Sequence, residues 1–345
     1  LNYRIPDRVG LLQRENNLLY LINEEIIEFS NCSPEIIQLI KHLKSGDDLT
    51  KTIENISQDD LKTLMDILCE NNLIRNAWNN EYKSSIVNKQ LYYFENICDQ
   101  NPNEMQKKLD NSRVLILGVG GVGTSIIQHL LGAGIKSFIL VDDDVVSLDN
   151  LNRQFTYSYS DISRNKVDAT RDYIYSVEPS SDVRIHKCKI REENDMSIFD
   201  QYEIDFIVNA TDSTPQLPMI INSYCKDKNI PFIEISVGVT TGSWGPIISP
   251  SKNTCLKCYH EKEEKKMSAE ELYIHNNLHS VITGSFGPTN TIISTFAAMD
   301  IIYYLSGIHN YCKSLSKRCL FDFQNIEIVI DNSINGDCSC GGEIY

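Results

Sequence analysis

Apolar and polar positions change rhythm several times along the chain. Over residues 9–30, VGLLQRENNLLYLINEEIIEFS, short apolar runs alternate with polar turns at RENN and NEE, which predicts a small antiparallel meander. The period then lengthens. Ser33 and Pro34 read as the N-cap and first residue of a helix over PEIIQLIKHLKSG that Gly46 ends. Ser57 reads as the cap of a second helix, with Leu61, Leu64, Met65 and Leu68 at helical spacing. Strands followed by helices within residues 1–80 predict a winged-helix-like module. The polar stretch WNNEYKSSIVNKQ reads as a linker, and a helix near residues 103–109 follows it. Beyond it RVLILGVG, SFILVDDD, VRIHKCKI and DFIVNATD read as strands with helical stretches between them. That alternation predicts an α/β sheet with a nucleotide site at its carboxyl edge, so residues 81–345 form the second domain. Residues 260–285 are charged and lack a core period, and read as a mobile crossover loop able to close over a substrate.

Composition then excludes several classes. A formal charge of −15 argues against a nucleic-acid partner, which would need a basic face. The longest uncharged run, Val114 to Ile135, contains six glycines and fits strand–turn–helix better than a membrane span. No signal-peptide pattern opens the sequence as given, and eleven unevenly spaced cysteines suit a reducing cytoplasm and point to metal binding.

The chemistry is concentrated around LILGVGGVGTSII. Gly118, Gly120, Gly121 and Gly123 leave backbone bare where a strand turns into a helix, whose N-terminal N–H groups suit a phosphate. Asp142, ending the next strand, can accept from ribose hydroxyls, which suits NAD as well as ATP. Asn150, Arg153 and Gln154 follow, then Lys166. Two cations are more than a dinucleotide pyrophosphate needs, and they suit a triphosphate whose charge is neutralised as it reacts. Cys255-x-x-Cys258 and Cys338-x-Cys340 can supply four thiolates to a tetrahedral Zn²⁺.

Taken together, the glycine turn, Asp142, Asn150-x-x-Arg153-Gln154 and Lys166 resemble the ubiquitin-activating-like adenylating family, which includes the thiamin and molybdopterin adenylyltransferases. The resemblance covers about residues 85–345 and implies a Rossmann-like, E1-type adenylation domain. It implies ATP and Mg²⁺ as cofactors, with Asp212 of NATDS as the magnesium ligand, although Ser213 stands where that family usually has Asn. Arg153 and Lys166 would then stabilise phosphate charge while a carboxylate attacks the α-phosphate. The family's paired cysteines imply structural zinc, here with C-x-C in place of the second C-x-x-C. A homodimer is implied too, in which an arginine crosses between subunits; Lys89 is the nearest match to it. No thioester-forming cysteine is evident, and Cys188 reads as core.

The N-terminal module resembles the leader-recognition element of family members that mature ribosomally made peptides, as in microcin C and pantocin A synthesis. The implied function is adenylation of a carboxyl group on a precursor peptide, either the terminal carboxyl or a side chain activated for cyclisation. A sulfur-carrier adenylyltransferase and a non-catalytic nucleotide-binding scaffold stay open as alternatives.

Overall fold

The computed structural model describes residues 2–15, 18–22, 25–46, 50–211, 216–249, 255–277 and 284–332. The chain divides into two units, Leu1–Lys107 and Lys108–Tyr345.

In the first unit β1 (Tyr3–Arg4) precedes a meander that is antiparallel, as its alternation predicts. Its strands β2 (Gly10–Glu15), β3 (Leu18–Ile22) and β4 (Ile26–Phe29) lie side by side in that order. Ser33 Oγ accepts the Ile36 N–H at 3.3 Å to cap α1 (Pro34–Ser45). Gly46 ends that helix at φ 77°, a left-handed conformation that glycine adopts freely. After α2 (Thr50–Ile53), Ser57 caps α3 (Gln58–Glu70) by accepting the Asp60 N–H. Leu19 and Leu21 of β3 pack with Ile40 and Leu43 of α1 and Leu64 and Leu68 of α3 into one core. β5 (Arg75–Asn76) then pairs with β1.

This unit does not stop near residue 80. The stretch read as a linker runs into α4 (Asn88–Ile97), and α5 (Pro102–Asn111) follows where a helix was expected. Buried Glu95 of α4 explains the longer unit. Its Oε1 accepts from Trp78 Nε1 at 2.9 Å and pairs with Arg4 Nε at 3.2 Å, which ties the stretch to the opening strand.

The second unit begins with the four expected parallel strands: β6 (Arg113–Leu117), β7 (Ser137–Val141), β8 (Asp182–His186) and β9 (Phe206–Asn209). Helices α6 (Gly121–Gly132) and α7 (Lys166–Val177) lie between them in sequence. After α8 (Leu217–Lys228) comes β10 (Phe232–Val237), parallel to β9, and β11 (Thr241–Ile248) turns back antiparallel. Helices α9 (Leu256–Glu264), α10 (Ala269–Asn277) and α11 (Gly287–Ser306) lead to β12 (Arg318–Asp322) and β13 (Glu327–Asp331). The result is a mixed sheet of eight strands in the order β13-β12-β11-β10-β9-β6-β7-β8.

The described part of the segment read as a crossover loop is largely helical, in α9 and α10. Ser268 explains the start of α10. Its Oγ accepts the Glu271 N–H at 3.2 Å while Glu271 Oε2 accepts the Ser268 N–H at 2.8 Å, a reciprocal cap that fixes a polar helix without a core stripe. No helix among the described residues is long and apolar enough to cross a membrane.

Candidate active site

Two glycines shape the turn between β6 and α6. Gly118 sits at φ +86°, and a Cβ there would lie 2.7 Å from the Ala210 carbonyl oxygen. A Cβ on Gly123 would fall 1.9 Å from the Gly118 carbonyl oxygen, so only glycine lets the helix fold back onto the turn. Gly120 is the N-cap of α6 and carries no side chain to occupy the first N–H groups, which are left to a ligand.

The strand ends and the loop after β7 complete a cavity of about 650 Å³, within the roughly 300–1,000 Å³ usual for small-molecule sites. Asp142 closes β7 and holds the turn in place. Its Oδ2 accepts the Val119 N–H and its Oδ1 accepts the Asp144 N–H, both at 2.9 Å. Buried Asn150 lies in a short turn where its Oδ1 accepts the Ser147 N–H at 3.1 Å. Arg153 Nη1 donates to the Asp149 carbonyl at 2.7 Å and to Asn152 Oδ1 at 2.9 Å. Those two neutral acceptors aim the guanidinium, and the Asp149 carboxylate lies near enough to feel its charge. Lys166, 7% exposed, opens α7 and reaches Asp144 Oδ2 at 2.8 Å. Tyr157 fastens the loop to the turn by donating to the Val119 carbonyl at 2.7 Å, and burial pushes its phenol well above the usual range.

Gly118, Gly120, Gly121, Asp142, Asn150, Arg153, Gln154 and Lys166 therefore share one cavity, although 48 residues separate the first from the last. Gly123 stands behind it as the packing glycine. Leu217, Ile190 and Val237 add apolar wall that suits a flat base.

The ThiF family profile matches residues 88–340. The chain belongs to the ThiF family. Its curated relatives include the sulfur carrier protein ThiS adenylyltransferase of Escherichia coli, 28% identical over 204 residues, which are 59% of this chain and 76% of that protein. Another is the probable adenylyltransferase/sulfurtransferase MoeZ of Mycobacterium tuberculosis, 38% identical over 108 residues, 31% of this chain and 27% of that one. The chain spans between 27% and 58% of the length of the adenylyltransferase/sulfurtransferase relatives it matches. Among solved structures, E. coli MccB with succinimide superposes with a TM-score of 0.80 at 24% identity, covering 99% of this chain and 100% of that one. MccB has also been solved with ATP and with MccA.

Within this ThiF-family chain, Asp212, Cys338 and Cys340 lie outside the described residues. Cys255 and Cys258 lie at the start of α9, each 8% exposed. Asn222 fixes the start of that helix by accepting the Leu256 N–H at 3.0 Å on its Oδ1. Two thiols one turn apart and mostly withdrawn from water fit half of a closed four-thiolate site. Lys89 is exposed on the first turn of α4 in the other unit. Cys188 is not plain core, since it is half-buried and lines the cavity. Trp244 is core: it is 2% exposed, stacks on Phe296 and donates to Asp300 Oδ2 at 3.0 Å. Phe286, by contrast, is exposed.

Two further residues were not singled out from the sequence. Asn290 of α11 lines the cavity, and a Cβ on Gly121 would lie 2.5 Å from its Nδ2. Glu234 of β10 stands opposite Asn209 of β9, whose Nδ2 donates to Glu234 Oε2 at 3.0 Å. Glu234 Oε1 is shielded from water with no hydrogen-bond partner among the described residues. Burial pushes this carboxyl up to about 8, against the opposing pull of Asn209 and Arg318. Asn209 Oδ1 in turn accepts from Thr211 Oγ1 at 3.0 Å, at the threshold of Asp212. A lone acid in the apolar run PFIEISV was the sequence signal for it.

Proposed function

We propose that the protein is an ATP-dependent adenylyltransferase that activates a carboxyl group on a ribosomally made precursor peptide. The observation that carries this reading is a bare helix N-terminus sharing one cavity with Arg153, Lys166 and Asn150. Those groups suit a triphosphate, and the acyl carboxylate is the natural second reactant in this family. The carboxylate oxygen forms a bond to the α-phosphorus as the bond to the β-phosphate oxygen breaks. Pyrophosphate leaves, and the product is an acyl-adenylate, a mixed anhydride open to a nucleophile. The α6 N–H groups hold phosphate oxygens, Asp142 accepts from the ribose, and Arg153 and Lys166 offset the charge gathering on the leaving group. Asp212 would hold Mg²⁺, which when bound adds a divalent charge for the same purpose. Cys255, Cys258, Cys338 and Cys340 would hold a structural zinc.

The precursor peptide enters the proposal through the first unit. The likeness to MccB spans 99% of this chain, and MccB has been solved with MccA. Among the described residues β2 and β4 are the outer strands of the three-stranded sheet and pair only with β3, with Leu12 and Ile26 exposed, a surface to which a leader segment can add as a further strand. As in the family it resembles, the active form would be a homodimer. A sulfur carrier is the second reading, favoured by the match to the ThiS adenylyltransferase.

ATP–pyrophosphate exchange driven by a short peptide encoded beside the gene, compared with exchange driven by a Gly-Gly-ended carrier, decides between the two. Exchange should require Mg²⁺ and vanish in Asp212→Ala with the fold intact. Proline at Ile27 or Glu28, one of which directs its N–H away from β3, should weaken peptide binding and spare ATP binding. Exchange driven only by the carrier would refute the peptide reading. No exchange with either would refute adenylation and leave a nucleotide-binding scaffold.

A further inference from the structure

Asn290 is a polar side chain at the head of a largely apolar packing face. The stripe it opens on α11 runs through Ile293, Ser294, Ala297 and Ala298 to Ile301, all buried. The next polar group on that stripe is satisfied, since Ser294 Oγ donates to the Val122 carbonyl of α6 at 3.3 Å. Asn290 is 6% exposed, and its carboxamide nitrogen carries two N–H donors. Among the described residues its one side-chain hydrogen bond is a long one, from Nδ2 to Ser285 Oγ at 3.3 Å. A buried amide with a spare donor is unfavourable until something accepts from it, and Asn290 lines the cavity.

Its position is fixed from two sides. Gly287, the first residue of α11, lets that helix rest on the loop after β7: a Cβ there would lie 2.8 Å from the Asn152 carbonyl oxygen and 2.9 Å from the Phe155 ring. Asn152 Nδ2 adds a bond to the Ser285 carbonyl at 3.4 Å. On the other side Gly121, the first residue of α6, receives the amide. A Cβ on it would lie 2.5 Å from Asn290 Nδ2 and 3.4 Å from Arg153 Cγ. Gly121 is not among the residues at positive φ, so space rather than backbone conformation calls for glycine there. The missing side chain makes room for Asn290 and Arg153 together at the N-terminus of α6, where a bound phosphate would offer oxygens that only accept.

We infer that Asn290 is a phosphate-binding residue, whose spare Nδ2 N–H donates to an oxygen of the triphosphate at the N-terminus of α6, beside Arg153. This rests on the adenylation reading and adds a donor from α11, far along the chain from the motif residues between Gly118 and Lys166. Packed between the first turn of α11 and Gly121, the amide is oriented before a nucleotide arrives, so little is lost in ordering it.

Two ligands isolate the contact: α,β-methylene-ATP, in which a carbon bridge blocks release of pyrophosphate, and adenosine, which lacks the phosphates. Calorimetric titration of the full chain with Mg²⁺ present gives an affinity for each. Asn290→Leu, close in shape but without the donor, should bind the ATP analogue about tenfold more weakly than the wild-type protein does. Its affinity for adenosine should stay within about twofold. Asn290→Ala serves as the second variant with the same expectation, and the ratio of two affinities within one sample is insensitive to a misfolded fraction. A ratio unchanged in either variant, whether both affinities hold or fall together, would overturn the inference while leaving adenylation in place. Failure of the wild-type protein to bind the ATP analogue would overturn the adenylation reading and this inference with it.

Discussion

Replacing Glu234 by glutamine keeps the shape of the side chain and removes its titration. In the folded chain the carboxyl loses its proton at about 8; in the unfolded chain it does so near its ordinary value of 4.5. Below about pH 4.5 both states are protonated and the group adds no pH dependence. Between those two values the native state holds a proton that the unfolded state has released, so stability falls as pH rises. At about 1.4 kcal/mol per pH unit, the whole interval removes up to about 5 kcal/mol. That is a large share of the roughly 5–15 kcal/mol that stabilises an ordinary domain. Urea titrations at several pH values, followed by the fluorescence of Trp244 in the same unit, measure the effect. Glu234→Gln should gain on the wild-type protein steadily from pH 5 to about pH 8 and level off above it, since other titrating groups cancel in the comparison. An offset between the two proteins that does not change with pH would refute the reasoning. It would mean that Glu234 is solvated or already ionised beside Asn209.

Arg153→Ala and Lys166→Ala should each slow pyrophosphate exchange by about 10²-fold or more, as loss of one preorganised charge-stabilising donor does; single-turnover rates near wild type would remove that residue from the chemistry. Metal analysis of the purified protein should give about one zinc per chain. A chelator should lower the melting temperature more than the rate of exchange, because a closed four-thiolate site leaves no coordination position for substrate. Zinc retained in Cys255→Ser would exclude Cys255 as a ligand.

What the sequence determined by itself was local in character. The meander, the caps at Ser33 and Ser57, the glycine turn and the four parallel strands each rest on period or turn chemistry that neighbouring residues carry. The site residues from Gly118 to Lys166 were legible for a related reason: one β-α-β stretch delivers them all, so their spacing in sequence maps onto one end of the sheet. Only the tertiary structure decided the rest. Strands β10 to β13 lie on the far side of β9, and their pairing depends on partners up to 81 residues away, as Thr241 pairs with Asp322. The first unit reaches past residue 80 because Glu95 pairs with Arg4, a contact no local pattern announces. Asn290 reaches the phosphate turn from α11, and the proton on Glu234 depends on burial between strands. Burial and long-range pairing are properties of the assembled sheet, so a chain read residue by residue does not display them.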